Sequence, residues 1–399
     1  MQNKQPLSRN FLQAIFQVCW LEVQRCVKDK GAMMFFLLVP LGYPLLYSWI
    51  YTNEVVRDVP IVVVDLSQTQ TSRTFTRLLD ASADVKVGRF CTTLSAAQKI
   101  VEQQEARGVV VIPKDLEQRI HRGEQAQIKV YCDMSMMLPY KAILQSSQMV
   151  VMQMGSNIRS HKAIISGTER DEELNAHPII VEEVPIFNTT LGYGNSILPA
   201  VLILILQQTL ILGIGLLAGT EREKSSYYAL LMVSNSSRTM TKLIGKSLGY
   251  LMVYIPLAAY VTLAVPRFFS FTAMATPTDL TLFLFPYLLA VIFFSITLSS
   301  VIRYRENVML VAVFTSLPLL FLSGVSWPES NIPAFWRGVA WLFPSTFGIR
   351  GFLRLSSMGA SLNDIHTEHV ALWIQAAVYF FVAYATFSWR SKKKKAGKD

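Results

Sequence analysis

Several stretches of the sequence bring together residue types that bind or catalyse in other proteins. "LIGKSLG" sets Gly245, Lys246 and Ser247 in the order in which a phosphate-binding loop ends. That loop, G-x-x-x-x-G-K-S/T, needs its leading glycine at position 240 and a strand before it; Met240 stands there and no strand is predicted. "HTEH" places His366 and His369 around Glu368, one residue short of the zinc-binding H-E-x-x-H, and the start of an interfacial helix accounts for it. "GVSWP" at Gly324–Pro328 lacks the second glycine of a G-x-S-x-G elbow. Asp65 follows the apolar run "VPIVVV" and is expected to serve a cap or turn, while His121 and His161 are isolated and expected to be exposed. Of the four cysteines, Cys19 and Cys26 precede the first apolar run; Cys91 and Cys132 close predicted strands, which leaves a disulfide open. None of these is a complete reaction centre. The remaining cluster is different in kind: in "LLAGTEREKSSYYALL", Glu221, Arg222, Glu223 and Lys224 arrive together after an uncharged run from Asn188 to Thr220, and a second apolar stretch follows. Such a run is either a solvated loop between two helices or a docking surface for another protein.

Composition decides what must position these charges. Of 399 residues 52% are hydrophobic and only 16% charged, against about 25% charged in an ordinary soluble chain. Apolar runs of about 18 or more residues indicate membrane helices, because about 20 residues cross the hydrocarbon core. Such runs occupy Gly31–Tyr51, Ser196–Ala218, Ser247–Val265, Leu280–Ile302, Val308–Gly324 and Val370–Trp389. The predicted fold class is a polytopic α-helical membrane protein with six transmembrane helices.

The net charge of +10 does not point to nucleic acid, because of where it lies. Lys4, Arg9, Arg25, Lys28 and Lys30 precede the first span. Arg222, Lys224, Arg238, Lys242 and Lys246 separate the second from the third. Arg303 and Arg305 separate the fourth from the fifth, and Arg390 with Lys392–Lys395 follows the sixth. Assigning all four groups to the cytoplasm satisfies the positive-inside rule and puts both termini there. Arg337, Arg350 and Arg354 are then the exceptions, on the outer side. Residues 1–30 read as a cytoplasmic or interfacial lead-in, and the first span is not expected to be a signal peptide, since some 30 residues precede it and "YSWIYTNEVV" offers no small-x-small cleavage site. Within it, Phe11, Ile15, Val18, Cys19 and Glu22 do not divide cleanly into faces, so an interfacial helix and a cytosolic lead-in are both open.

Between the first two spans, residues 52–190 are polar enough and long enough for a separate domain. "VPIVVVDLS", "DVKVGRF", "GVVVIP" and "AQIKVYCD" read as strands. "QTQTSRTFTRLLDA", capped by Ser67, together with "LSAAQKIVEQQEA" and "KDLEQRIHRG", reads as helices. Their alternation predicts a small α/β layer domain, followed by a longer helix over Met136–Ile165 and an extended "HPIIVEEVPIFN".

The stretch "GTEREKSSYYALLMVSNSSRTMTKLIGKSLGYL" resembles the permease subunits of type-2 ABC exporters, in which the second span ends in a segment like R-E-R-E-x-G-T, followed by a short helix and a G-K that enters the third span. Glu221–Lys224 match the charged segment, Ser225 and Ser226 stand where the family often has Gly-Thr, and Gly245 with Lys246 matches the later G-K. "LSGVSWPESNIPAFWRGVAWLFPSTFGIRGFLRL" is similar to the family's outer hairpin, with Gly324, Pro328, Pro333, Trp336 and Pro344 at its characteristic positions. The insert looks like that of the drug-exporter-type subfamily with a large periplasmic domain. The resemblance implies a coupling helix at 219–235 in which Glu221, Arg222, Glu223, Lys224, Ser225 and Ser226 meet a separate ATPase. It also implies a re-entrant hairpin over 325–360 that would excuse the outer arginines, and a basic cytoplasmic tail at 391–399.

The function expected from this is that of a permease subunit, not an enzyme, moving a hydrophobic or amphiphilic compound (drug-like or lipid) out of the cytoplasm or the inner membrane. It needs no cofactor on this chain, since ATP and Mg would sit on the partner ATPase. Further expected partners are a second copy or a sister permease, a periplasmic adaptor and membrane lipid. A membrane scaffold or sensor with a ligand-binding outer domain is the first alternative. A secondary carrier is the second, disfavoured by the scarcity of ionisable residues inside the predicted spans.

Overall fold

The computed structural model describes residues 11–52, 56–122, 124–132, 137–163, 193–223, 239–302, 304–327 and 329–395. The chain divides into two compact units, Met1–Glu54 with Ile186–Asp399, and Val55–Pro185.

The first unit is helical. Among the described residues, a leading helix, α1 (Phe11–Lys28), precedes six helices long and apolar enough to cross a membrane. These are α2 (Lys30–Ile50), α7 (Tyr193–Glu223), α8 (Thr239–Phe268), α9 (Pro277–Val301), α10 (Arg305–Leu322) and α13 (His366–Lys395); α3–α6 belong to the second unit. Two short helices, α11 (Ala334–Ala340) and α12 (Pro344–Met358), lie between α10 and α13. Local chemistry fixes the ends of these elements. Asp29 caps α2 by accepting from Gly31 and Ala32 N–H, each at 3.0 Å. Thr276 caps α9, which opens on Pro277 where no N–H is needed. Gly359, at φ +64°, closes α12 in the left-handed conformation that glycine adopts without penalty.

α7 is the axis of this unit. Its side chains pack against α2, α9, α10 and α12, and most of its length is buried. Glycines set the close approaches. A Cβ on Gly213 would come within 2.6 Å of the Phe36 ring, and one on Gly215 within 2.3 Å of Val308. Phe36 sits in a π-helical turn of α2 (Met34–Leu38), stacked 5.7 Å from Tyr250 and edge-on to Tyr254. Side chains of α10 such as Val313, Phe314, Leu317 and Phe321 remain exposed, as a span facing lipid or another subunit requires.

α1 does have two faces. Ile15, Val18, Glu22 and Cys26 are buried, whereas Leu12, Phe16 and Trp20 line an exposed apolar stripe. Glu22 blurs the pattern in the sequence because it is a charge on the packed side. That side lies against α8, where Gly245 and Gly249 form a G-x-x-x-G face. A Cβ on Gly245 would stand 2.6 Å from that of Val18, and one on Gly249 3.0 Å from the Cys19 carbonyl oxygen. Small residues at this spacing let helix backbones approach closely.

The second unit is a four-stranded sheet in the order β2-β1-β3-β4, from β1 (Val59–Asp65), β2 (Val85–Cys91), β3 (Gly108–Ile112) and β4 (Lys129–Cys132). β1 runs parallel to β2 and β3, and β4 is antiparallel. The helices are α3 (Gln70–Asp80), α4 (Leu94–Glu102), α5 (Leu116–Arg122) and α6 (Met137–Ala163). Ile61, Val63, Phe75, Leu79 and Ile143 form a core on one face, under α3 and α6; Val62, Val64, Ala97 and Val109 form a smaller core under α4 on the other. Burial on both faces explains why β1 is an unbroken apolar run. The expected cap is corrected: Thr69, not Ser67, caps α3, exchanging bonds with Ser72 in a capping box. Ser67 instead donates its backbone N–H to Asp65, whose carboxylate also takes Gln68 N–H and the Ser72 hydroxyl, so Asp65 holds a turn. The extended "HPIIVEEVPIFN" and His161's side chain fall outside the described residues.

Cys91 and Cys132 sit on β2 and β4, the two opposite edges of the sheet, and are free. Three strand spacings of about 4.8 Å separate them, well beyond disulfide reach. Intact-mass analysis with an alkylating agent and no reductant is expected to find both thiols modified; a linked peptide pair would contradict the sheet order.

Candidate functional site

A cluster of ionised side chains of the first unit lies at one end of the helices, around the last turn of α7. Four consecutive residues there each grip a different set of neighbours. Gly219 lets the chain pass 3.0 Å, measured from a notional Cβ, from the Arg305 backbone at the start of α10. The Thr220 hydroxyl donates to Asp29 at 3.1 Å and accepts from Arg305 at 3.0 Å, and Arg305 also reaches Asp29 at 3.3 Å. Glu221 bonds Lys246 of α8 at 2.8 Å and lies 3.7 Å from Arg25 of α1. Arg222 donates to the carbonyls of Ser299 and Ile302, which end α9. Those carbonyls have no partner further along their own helix, and a cation there also complements the helix dipole.

Glu22 completes the cluster. It is fully buried, lies 3.6 Å from Lys246 and 3.3 Å from Arg25, and accepts from the Tyr250 hydroxyl. Two carboxylates and two cations from α1, α7 and α8 thus neutralise one another. A buried charge is tolerable only when so paired. The "GKSLG" that imitates a phosphate loop has a mechanical explanation instead: its glycines admit α1 and its lysine joins α1 to α7. Asp29 is held by opposed effects. Burial opposes its charge, but bonds from Ala32 N–H and the Thr220 hydroxyl, and the charge of Arg305, prevail and lower its pKa. A lowered folded-state value means a contribution present above the unfolded carboxylate pKa of about 3.9 and lost as pH falls through the lower one. Asp29→Asn keeps the cap and removes the charge, so it is expected to cost about 1 kcal/mol at neutral pH. In unfolding scans from pH 7 to pH 3 the gap between variant and native chain should close; a gap independent of pH would show that the charge contributes nothing.

At the other end, α12 is fastened across the bundle. Gln207, fully buried at the middle of α7, accepts from Ser345 N–H at 2.7 Å and donates to its hydroxyl at 3.0 Å. This satisfies a donor at the start of α12, where Phe343 provides no side-chain cap. From the middle of α13, Gln375 donates to the Trp341 carbonyl and Tyr379 to that of Leu342. The turn between α11 and α12 is therefore held level with the middles of α7 and α13. Gly348 and Gly351 of α12 receive the rings of Tyr287 and Phe283. Arg350 donates to the Ser323 carbonyl and pairs with Glu329 at 2.8 Å, and Arg354 pairs with Glu368 at 3.0 Å.

The sequence-derived candidates fare unevenly. Glu221 and Arg222 both turn inward, onto other helices of this chain. The Glu223 side chain, Lys224, Ser225 and Ser226 lie outside the described residues, as does Pro328. Gly324 (φ +91°) needs glycine's freedom next to Arg350, Pro333 caps α11, Trp336 is exposed and Pro344 opens α12. His369 accepts from Trp373, and no metal-binding group of three or more His, Cys, Asp or Glu occurs among the described residues. Asp29, Gln207, Gln375 and Tyr379 are not among the sequence-derived candidates, and Glu22 enters there only as a residue that blurs the faces of α1. The signal for Gln207 was available: "ILQQTLIL" sets two amides in the middle of an uncharged apolar run.

Six membrane-length helices, five of them joined at one end by ion pairs and charge-assisted bonds, make this a multi-pass membrane protein. The chain belongs to the ABC-2 transporter family: the profile described as ABC-2 family transporter protein matches residues 30–385. No curated protein matches it. Membership makes it the membrane permease component of an ABC transporter, associated with an ATP-binding subunit.

Proposed function

We propose that this chain is the permease subunit of an exporter that moves a hydrophobic or amphiphilic compound, drug-like or lipid, out of the cytoplasm or inner membrane. The observation that carries this reading is the end of α7. Residues 219–222, the first of the 219–235 segment that resembles a coupling helix, connect α7 to α1, α2, α8, α9 and α10. A push on that segment by an ATP-binding subunit would reach five helices through one turn. In this reading Glu221 and Arg222 transmit force, while Glu223, Lys224, Ser225 and Ser226 form the docking surface, where mixed-sign charges set register and partner choice. ATP and Mg stay on the partner chain. The permease works with a second copy or a sister permease in the bacterial inner membrane, its basic ends in the cytoplasm and residues 52–190 in the periplasm, open to an adaptor protein.

The α11–α12 hairpin is then re-entrant. The bonds from Gln207, Gln375 and Tyr379 support this, because irregular backbone at that depth is tolerated only when packed against protein with its polar groups satisfied. Arg350 and Arg354 would sit at the outer surface with Glu329 and Glu368 as counter-ions.

Purification from the native membrane is expected to bring down an ATP-binding subunit in stoichiometric amount, with hydrolysis stimulated by transported compounds. Reversing Glu223 and Lys224 together should reduce that co-purification severalfold while leaving the chain folded. Transport by the purified chain alone down an ion gradient would instead establish a secondary carrier. A folded chain that binds a ligand through residues 52–190 and neither transports nor recruits an ATPase would establish the sensor.

A further inference from the structure

Prolines are distributed unevenly along the bundle. Five of the six spans contain one internally: Pro44 in α2, Pro199 in α7, Pro256 in α8, Pro286 in α9 and Pro318 in α10. Measured from the end where α1 and the ion pairs lie, these five fall beyond the midpoints of their spans, as does Pro266 near the far end of α8, while Pro40 stands at the midpoint of α2. Each removes a backbone N–H from the ladder and crowds the carbonyl four residues before it, which weakens the helix there and bends it.

The neighbouring structure responds to these breaks. The Tyr260 hydroxyl donates 3.1 Å to the Leu41 carbonyl, in the turn that leads to Pro44. Tyr260 itself opens a π-helical turn of α8, Tyr260–Ala264, four residues after Pro256. Such turns mark places where a helix ladder has been re-registered. Among the described residues two tyrosine-to-carbonyl bonds join neighbouring spans directly in this half, the second being Tyr287 to Ile203 at 2.7 Å, while the α11–α12 turn is held by Gln207, Gln375 and Tyr379.

The α1 end has the opposite character. Ion pairs and charge-assisted bonds join α1, α2, α7, α8, α9 and α10 within a few turns. Gly213, Gly215, Gly219, Gly245 and Gly249 let α1, α2, α7, α8 and α10 approach closely there. No internal proline stands short of the midpoint of its span, although α2 carries a π-helical turn in this half, Met34–Leu38.

We propose that the bundle is two-part in its mechanics: a rigid base at the α1 end, and a compliant half beyond it in which the proline turns absorb bending. A displacement delivered at the base would move it as one body, and the helices would part in the far half. The coupling to ATP rests on the exporter reading; the division into stiff and compliant halves does not.

Two measurements on the full chain test it separately. In nanodiscs without any partner, hydrogen exchange is expected to be at least tenfold faster in the far halves of α2, α8, α9 and α10 than in their base halves. Replacing Pro256 and Pro286 by alanine, which restores missing N–H groups, should slow the far-half exchange severalfold. Equal exchange along the spans, or no response to the alanines, would overturn the proposal whatever the transport function proves to be. In the complex with its ATP-binding subunit, spin labels at Trp49 and Phe321 report on the far half and labels at Val27 and Met240 on the base; all four sites are exposed. ATP with vanadate is expected to shift the first distance and leave the second unchanged. A shift in the base pair equal to that in the far pair would overturn it, and exchange graded as expected with neither distance moving would count against the exporter reading alone.

Discussion

Replacing Lys246 by methionine is expected to destabilise the chain by about 3–5 kcal/mol, the usual cost of breaking a buried ion pair from one side. The methionine fills similar space, so the loss reports charge rather than packing. Glu22, fully buried, and Glu221 would then share one remaining cation, Arg25. Two carboxylates this close without Lys246 repel each other, and one must take up a proton or move toward water. Because α1 is joined to α7 through this lysine, α1 should also become more accessible to protease. The double variant Lys246→Met with Glu221→Gln should recover much of the loss, since it removes the surplus negative charge. Unfolding in mild detergent, or inactivation half-life where unfolding is irreversible, measures both. A single variant within about 0.5 kcal/mol of the native chain, as for an exposed pair, would show that the cluster is solvated.

The second large effect is expected at Gln207. Leucine there removes the acceptor for Ser345 N–H and the donor to its hydroxyl, and nothing else among the described residues bonds that N–H. Stranding buried polar groups costs about 1–3 kcal/mol each, so Gln207→Leu should lose about 2–4 kcal/mol. Ser345→Ala keeps the N–H bond and should lose about 1 kcal/mol. This ordering separates a cap on α12 from a simple side-chain contact. A Gln207→Leu chain as stable as Ser345→Ala would mean that water reaches the turn, and the hairpin would then be no deeper than an ordinary outer loop.

These two residues show how far the sequence could be followed. The spans were legible because membrane length and apolarity are properties of contiguous residues. The α/β insert was legible because its strands and helices alternate in period, and the misplaced cap arose only because Ser67 and Thr69 are both good caps two residues apart. The hub was half visible. Glu221 and Arg222 drew notice as a charge run, but a run gives no direction, and both point into the bundle. Glu22 and Asp29 look like ordinary polar residues of a leading segment; their partners are about 190 to 280 residues away in sequence. Lys246 was noticed for a nucleotide motif it does not complete, because a G-x-x-x-G face and a phosphate loop share glycine and lysine for unrelated reasons. Long-range pairing of single polar residues has no period, so no window along the chain reveals it.

The pairing of six ionised side chains at the end of α7 has an electrical consequence. Glu22 and Glu221 balance Arg25 and Lys246, and Asp29 balances Arg305, so these six residues carry no net charge. An unbalanced charge crossing the whole membrane field would involve about 2.3 kcal/mol per 100 mV. Displacing this group as a body against the bilayer involves almost no such work. These six residues therefore add no voltage dependence to such a movement, and depolarising proteoliposomes should leave their contribution to its rate unchanged.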